Sequence, residues 1–203
     1  FYSLIAFFIV ITTFGMETAY FRFSRRDGWE ETKVFGAAMA MIALVMLGLT
    51  ALSLIFQGPL LHALKYEETP QYLWYLLAIL ALDAFSAIPF ARLRNQNKAS
   101  RFATIKLALI FTNVAINLYI FLPSYWTLNE MTLWWNHDMH GVDYIFIANI
   151  IASSLMFLLL LPSLRPLNLN LDRAYPRPLL TFGIPILIGG LAGIANEMLD
   201  RQL

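Results

Sequence analysis

Glu17, Asp83, Lys106, Asn113 and Asn117 each stand inside a run of residues that is otherwise strongly apolar. An ionisable group at the centre of a bilayer costs about 2.5–3.5 kcal/mol on insertion scales unless it is paired or hydrated. Side chains of this kind therefore line wet pathways, carry protons or cations, or tie helices together. Lys106, Asn113 and Asn117 are seven and four residues apart, which puts them on one helical face. The asparagines can hydrogen-bond a sugar or the next helix, and Lys106 can face a cavity or snorkel to the nearer interface. Thr13, Glu17 and Tyr20 share a face in the same way. Glu17 lies about 7.5 Å along a helix from Arg22, so it is a candidate to pair with a cavity arginine or to bind a coupling proton or Na+. Asp83 is expected to face a cavity, and Pro89, six residues on, is expected to kink or end its helix.

The other candidates sit at the edges of apolar runs. Asn196 and Asp200 share a face, and Glu197 and Arg201 form a well-oriented i, i+4 pair. Arg22, Arg25, Arg26, Arg92 and Arg94 can attract a phosphate group or contact anionic lipid. Gly189 and Gly193 form a small-xxx-small step, which points to close helix packing. The spacing of His137, Asp138 and His140 is not that of a recognised site and no third firm ligand lies nearby, so no metal site is expected. There is no cysteine, no glycine-rich phosphate loop and no nucleophile motif, so neither an enzyme nor an ATP-driven pump is indicated.

The elements that position these residues follow from composition. The chain has 203 residues, 59% of them hydrophobic and only 13% charged, with a mean hydropathy of +0.63. Soluble domains carry about 25% charged residues. The net charge of +1 gives no reason to expect nucleic acid. Six apolar stretches stand out: residues 1–21, 34–56, 71–91, 102–122, 144–161 and 178 onward. Each is long enough to cross a bilayer as a helix, and none alternates as a barrel strand would. An all-α, polytopic transmembrane bundle of about six spans is expected, because lipid leaves no other way to satisfy the backbone.

The loops alternate in charge. Arg22, Arg25, Arg26 and Lys33, then Arg92, Arg94, Lys98 and Arg101, then Arg165, Arg173 and Arg177 fall on one side, against Lys65 alone on the other. The positive-inside rule places the three basic loops in the cytoplasm. The opposite loop, with Tyr125, Trp126, Trp134, Trp135 and Tyr144, suits an interfacial belt. Residues 162–177 hold Pro162, Pro166 and Pro176, and that density stiffens a connector. Phe1 and Leu203 both lie within apolar runs, which reads as an internal piece of a longer chain.

Three segments carry a resemblance. Gly15-Met-Glu-Thr-Ala-Tyr-Phe-Arg22 ends the first span. Pro89-Phe-Ala-Arg-Leu-Arg94, with Asn97-Lys98-Ala99 and Phe102, ends the third and opens the fourth. Pro178-Leu-Leu-Thr-Phe-Gly-Ile-Pro185 is followed by Gly189-Gly-Leu-Ala-Gly193 and Asn196-Glu-Met-Leu-Asp-Arg201. Together they resemble the polysaccharide (O-antigen and capsule) flippases of the multidrug/oligosaccharidyl-lipid/polysaccharide exporter superfamily. The third block, which is similar to the opening of that family's seventh helix, is the most specific. The three segments cover roughly a third of the chain.

That resemblance implies two six-helix lobes that rock about a central cavity. Residues 1–161 would be helices two to six of the first lobe, 162–177 the cytoplasmic inter-lobe connector, and 178–203 the start of helix seven in the second. It implies a multi-pass protein of the bacterial cytoplasmic membrane, acting as a monomer beside the polysaccharide assembly enzymes. The cargo would be a polyprenyl-diphosphate-linked oligosaccharide, flipped by alternating access with no cofactor beyond a coupling proton or Na+. A carrier of lipid diphosphates should hold deep cations, and only Lys106 is deep by sequence. Two rivals are a drug/cation antiporter of the same superfamily and a membrane-embedded glycosyl- or acyltransferase.

Overall fold

A computed structural model describes the backbone of residues 2–64, 69–125, 141–165 and 174–200, and the side chains of 8–62, 69–119, 143–165, 174–194 and 196. Among the described residues every regular element is helical: α1 (Tyr2–Thr13), α2 (Met16–Phe23), α3 (Glu31–Ile55), α4 (Gln57–Leu64), α5 (Gln71–Asn95), α6 (Ala99–Tyr125), α7 (Gly141–Leu160) and α8 (Pro176–Asp200), with a 3-10 turn over Leu161–Leu164. Helices α3, α5, α6, α7 and α8 are long and apolar enough to cross a membrane. At 1.5 Å per residue, 25 residues reach about 37 Å.

The first apolar stretch is broken. Phe14 (φ 29°) and Gly15 (φ 71°) leave the right-handed helical region, so α1 stops and α2 restarts at Met16. Glycine tolerates that backbone because it has no Cβ. Thr13 Oγ1 turns back to donate to Ile9 O at 2.8 Å, serving a carbonyl near the break. In the third stretch the second of the two outcomes expected at Pro89, an end to the helix, does not occur. Pro89 neither ends nor visibly interrupts α5, which continues to Asn95. Burial accounts for this: Ile88, Pro89 and Phe90 are all packed against neighbouring helices, and those neighbours hold the helix past a missing hydrogen bond.

Helix α5 is the centre of the bundle. It packs on α1, α2 and α3 on one side and on α6 and α7 on the other, while α8 lies against α1, α2 and α3. One core joins Met16, Tyr20, Phe35, Ile42, Leu80, Ala84, Ile88 and Leu179. A second joins Phe90, Leu93, Ile105, Met156 and Leu160 across α5, α6 and α7. At the other end of α5 Tyr72 stacks on Phe146, centroids 5.1 Å apart. Away from the buried clusters the helices carry broad exposed apolar faces. Only 6% of the apolar stretch of α6 is buried, and Leu107, Ile110, Phe111, Leu118 and Tyr119 are exposed. Water would make such a surface aggregate; hydrocarbon accepts it. The chain is therefore a multi-pass membrane helix bundle.

The close crossing of α8 with the α1–α2 break uses glycines other than the expected pair. A Cβ at Gly189 or Gly193 would meet nothing within 4 Å. One at Gly183 would sit 2.5 Å from Met16 Cε and 2.8 Å from Phe14 O, and one at Gly190 would sit 3.0 Å from Val10 Cγ1. Gly189 and Gly193 lie on the exposed side of α8. The basic segments meet at one end of the bundle, where Arg25 Nε donates to Asn95 Oδ1 at 2.7 Å and Arg92 reaches the carbonyls after α7.

Candidate functional site

Asp83, Phe90 and Arg94 are seven and four residues apart and share one face of α5. This face carries a polar track about 16 Å long. At its deep end Asp83 Oδ1 accepts a hydrogen bond from Ser153 Oγ of α7 at 2.9 Å. Midway, Lys106 Nζ lies 4.6 Å from the centre of the Phe90 ring. At the basic end Arg94 pairs with Glu17 of α2. The Arg94 guanidinium also lies over Phe21 at 5.1 Å and Phe102 at 5.6 Å. Two of the flanking contacts come as i, i+4 pairs, Glu17 with Phe21 and Phe102 with Lys106, so each neighbouring helix offers one charge and one ring. The tertiary structure thus brings Glu17, Asp83, Arg94 and Lys106 together along α5. Glu17 and Arg94 remain partly exposed, so their pairing can exchange with solvent or a ligand.

The asparagines go elsewhere. Asn113 Nδ2 donates to Asn149 Oδ1 of α7 at 2.9 Å, Asn117 Nδ2 donates to Asn113 O at 2.8 Å and Oδ1 at 2.9 Å, and Asn149 Nδ2 donates to Ile145 O at 2.8 Å. Here they join two helices and leave the Lys106 side of the stripe to α5. Such bonds average about 0.6 kcal/mol in membrane proteins. A double-mutant cycle with Asn113→Ala and Asn149→Ala, read by unfolding in detergent, is expected to give a coupling of about 0.5–1.5 kcal/mol. Additive losses would mean that the ladder holds nothing together.

Arg92, a candidate entrance cation, is instead 5% exposed. Its Nη2 donates to Glu31 Oε2 at 3.0 Å, and its Nε lies 3.0 Å from Glu31 Oε1 as an ion pair rather than a straight hydrogen bond. Its Nη1 donates to Ser163 O at 3.0 Å and Arg165 O at 3.2 Å, and its guanidinium lies 4.5 Å from the centre of the Phe35 ring. Tyr20 Oη donates to Glu31 Oε1 from α2. The Arg92–Glu31 pair thus ties α2, α3, α5 and the turn after α7 together, and this is a structural hub. Sequence reading left out Glu31. A usable signal was the four-residue series Leu80, Ala84, Ile88, Arg92, which marks Arg92 as core-facing.

Arg22 and Arg26 do lie at an open site. With Phe23 of α2 and Arg177, Pro178, Thr181 and Phe182 of α8 they line a cleft of about 990 Å³ at the basic end. Arg22 lies over Phe182 at 4.5 Å, and Arg26 lies over Trp29 at 5.4 Å. Arg177 was not among the expected site residues, since its distance from α2 in the chain hides the contact. Arg25 is occupied by Asn95, whose Nδ2 also donates to Ser24 Oγ at 3.2 Å.

Asn196 is exposed on α8. The side chains of Glu197 and Asp200 lie outside the described residues, as do Arg201, Lys65, residues 166–173 of the connector, and the loop bearing His137, Asp138 and His140. Among the described residues no group of three His, Cys, Asp or Glu side chains could hold a metal. No protein-family model, curated protein or solved structure matches the chain.

Proposed function

We propose that the chain belongs to a transporter that flips a lipid-linked oligosaccharide across the bacterial cytoplasmic membrane for surface polysaccharide assembly. The observation that carries this reading is the row of ionisable groups along α5, Asp83, Lys106, Arg94 and Glu17, inside an otherwise apolar bundle. Each sugar hydroxyl left unpaired in hydrocarbon costs about 4–8 kcal/mol. A polar track between helices replaces water for the headgroup while the lipid tail stays in the bilayer. Arg94 adds a second cation beside Lys106, which suits a diphosphate better than Lys106 alone. Alternating access would bring the headgroup past these residues, with Glu17 or Asp83 taking the coupling proton or Na+.

The test is flipping by the full chain reconstituted in liposomes, read with a fluorescent polyprenyl-diphosphate sugar. Glu17→Gln, with its Arg94 pair broken, is expected to lower the rate at least tenfold at equal protein abundance. An unchanged rate removes Glu17 from the mechanism, and no flipping by the native full-length transporter removes the reading.

One observation favours a second reading, a drug/cation antiporter. The two carboxylates share the track with Phe21, Phe90 and Phe102, and aromatic rings with acids attract organic cations. Binding of polyprenyl-diphosphate sugars against organic cations separates the two.

A further inference from the structure

The cleft between α2 and α8 is a second polar feature, separate from the α5 track. Arg22 and Arg26 come from the last turn of α2 and the residues just after it, and Arg177 from the first turn of α8. Among the described residues no carboxylate pairs with any of the three. Three guanidinium groups facing one space of about 990 Å³ repel one another, and that repulsion is relieved by a bound anion. Aromatic faces steady two of them: Phe182 under Arg22, and Trp29 with Phe23 beside Arg26 at 5.4 and 6.0 Å. Guanidinium groups held in this way keep their donors free for phosphate oxygens.

The cleft also has an apolar exit. Thr181 on its wall begins an exposed stripe of α8 that continues through Ile184, Pro185 and Ile188. A ligand with a phosphate at the arginines and a hydrocarbon chain along this stripe would match both charge and polarity. The wall itself is fixed, because the glycine crossing at Gly15 and Gly183 sets how α2 meets α8 directly beside Phe182.

We propose that this cleft binds an anionic phospholipid of the leaflet at the basic end of the bundle. Its phosphate is held by Arg22, Arg26 and Arg177, and an acyl chain runs along Ile184 and Ile188. The site does not depend on transport, so it stands or falls apart from the function proposed above.

The test is native mass spectrometry of the full chain released from nanodiscs containing equal phosphatidylglycerol and phosphatidylcholine. Native protein is expected to retain phosphatidylglycerol at least fivefold over phosphatidylcholine. The R22Q/R177Q variant is expected to lose that preference, while K98Q/R101Q, which removes two exposed cations elsewhere at the same end, keeps it. Melting temperature confirms that each variant is folded, and F182L, which removes the ring under Arg22 and its edge contact with Phe23, is expected to weaken retention about twofold. Equal retention by native and R22Q/R177Q protein overturns the proposal, as does equal loss in K98Q/R101Q. Displacement of the lipid by inorganic phosphate at the same concentration would assign the cleft to a free anion. Displacement by a polyprenyl diphosphate at a hundredfold lower concentration would assign it to a transported lipid. Either result also overturns it.

Discussion

Replacing Arg92 with leucine is expected to destabilise the bundle by about 3 kcal/mol, at the lower end of what removing one partner of a buried ion pair costs. The lower end applies because Glu31, whose side chain is 29% exposed, recovers some solvent when its partner goes. The loss still includes two carbonyls, Ser163 O and Arg165 O, and the bond that ties Tyr20 to the same carboxylate loses its counter-charge. Replacing both charges, R92L with E31L, is expected to recover most of the loss, since an apolar pair avoids the desolvation penalty. Arg94→Leu provides the contrast. Its pair with Glu17 is more than a third exposed on both sides, and such pairs contribute about 0–1 kcal/mol. Denaturant or thermal unfolding in detergent measures all of these. A cost below about 1 kcal/mol for Arg92→Leu would mean that the hub is hydrated and holds nothing.

Gly183→Ala is expected to cost about 2–3 kcal/mol, the upper part of the range for overpacking. The new Cβ would fall 2.8 Å from Phe14 O, and a backbone oxygen cannot swing aside as Met16 Cε can. Gly15→Ala should cost at least as much. Its Cβ would lie 2.8 Å from Ile186 Cβ, and a left-handed backbone (φ 71°) adds about 1–2 kcal/mol for any residue with a Cβ. Gly189→Ala tests the geometry directly. Nothing lies within 4 Å of that position, so alanine should leave stability unchanged or raise it by up to about 1 kcal/mol through helix propensity. If Gly189→Ala were the damaging change and Gly183→Ala the silent one, the crossing of α8 would be elsewhere.

Several features were open to reading without coordinates because they are local. The spans follow from runs of apolar residues, and α3, α5, α6, α7 and α8 match the stretches expected of them to within a few residues at their ends. Glu17 and Asp83 stood out because a carboxylate within such a run is expensive. Pro89 does not end α5, because the rule that proline ends a helix assumes that water competes for the freed carbonyl, and here packed neighbours surround it. The break at Gly15 carried a signal, a glycine followed directly by Met16 and a charge, but a glycine in an apolar run is equally compatible with an unbroken helix.

What the chain determines by itself is where it prefers lipid to water, and hence the number, length and order of its helices. Which face of each helix meets protein was decided by folding alone. In hydrocarbon a leucine is as content against lipid as against another helix, so an all-round apolar stretch such as the one in α3 carries no polar stripe to orient it. The polar partnerships are long-range as well: Arg92 with Glu31 across 61 positions, Asp83 with Ser153 across 70, and Arg22 with Phe182, which the chain separates by most of its length. Side chains of matching charge or donor capacity are plentiful enough that spacing cannot choose among them. Only the packing of α5 between its two sets of neighbours made Arg92 a strut, Arg94 part of a polar track, and Arg22 one wall of a cleft.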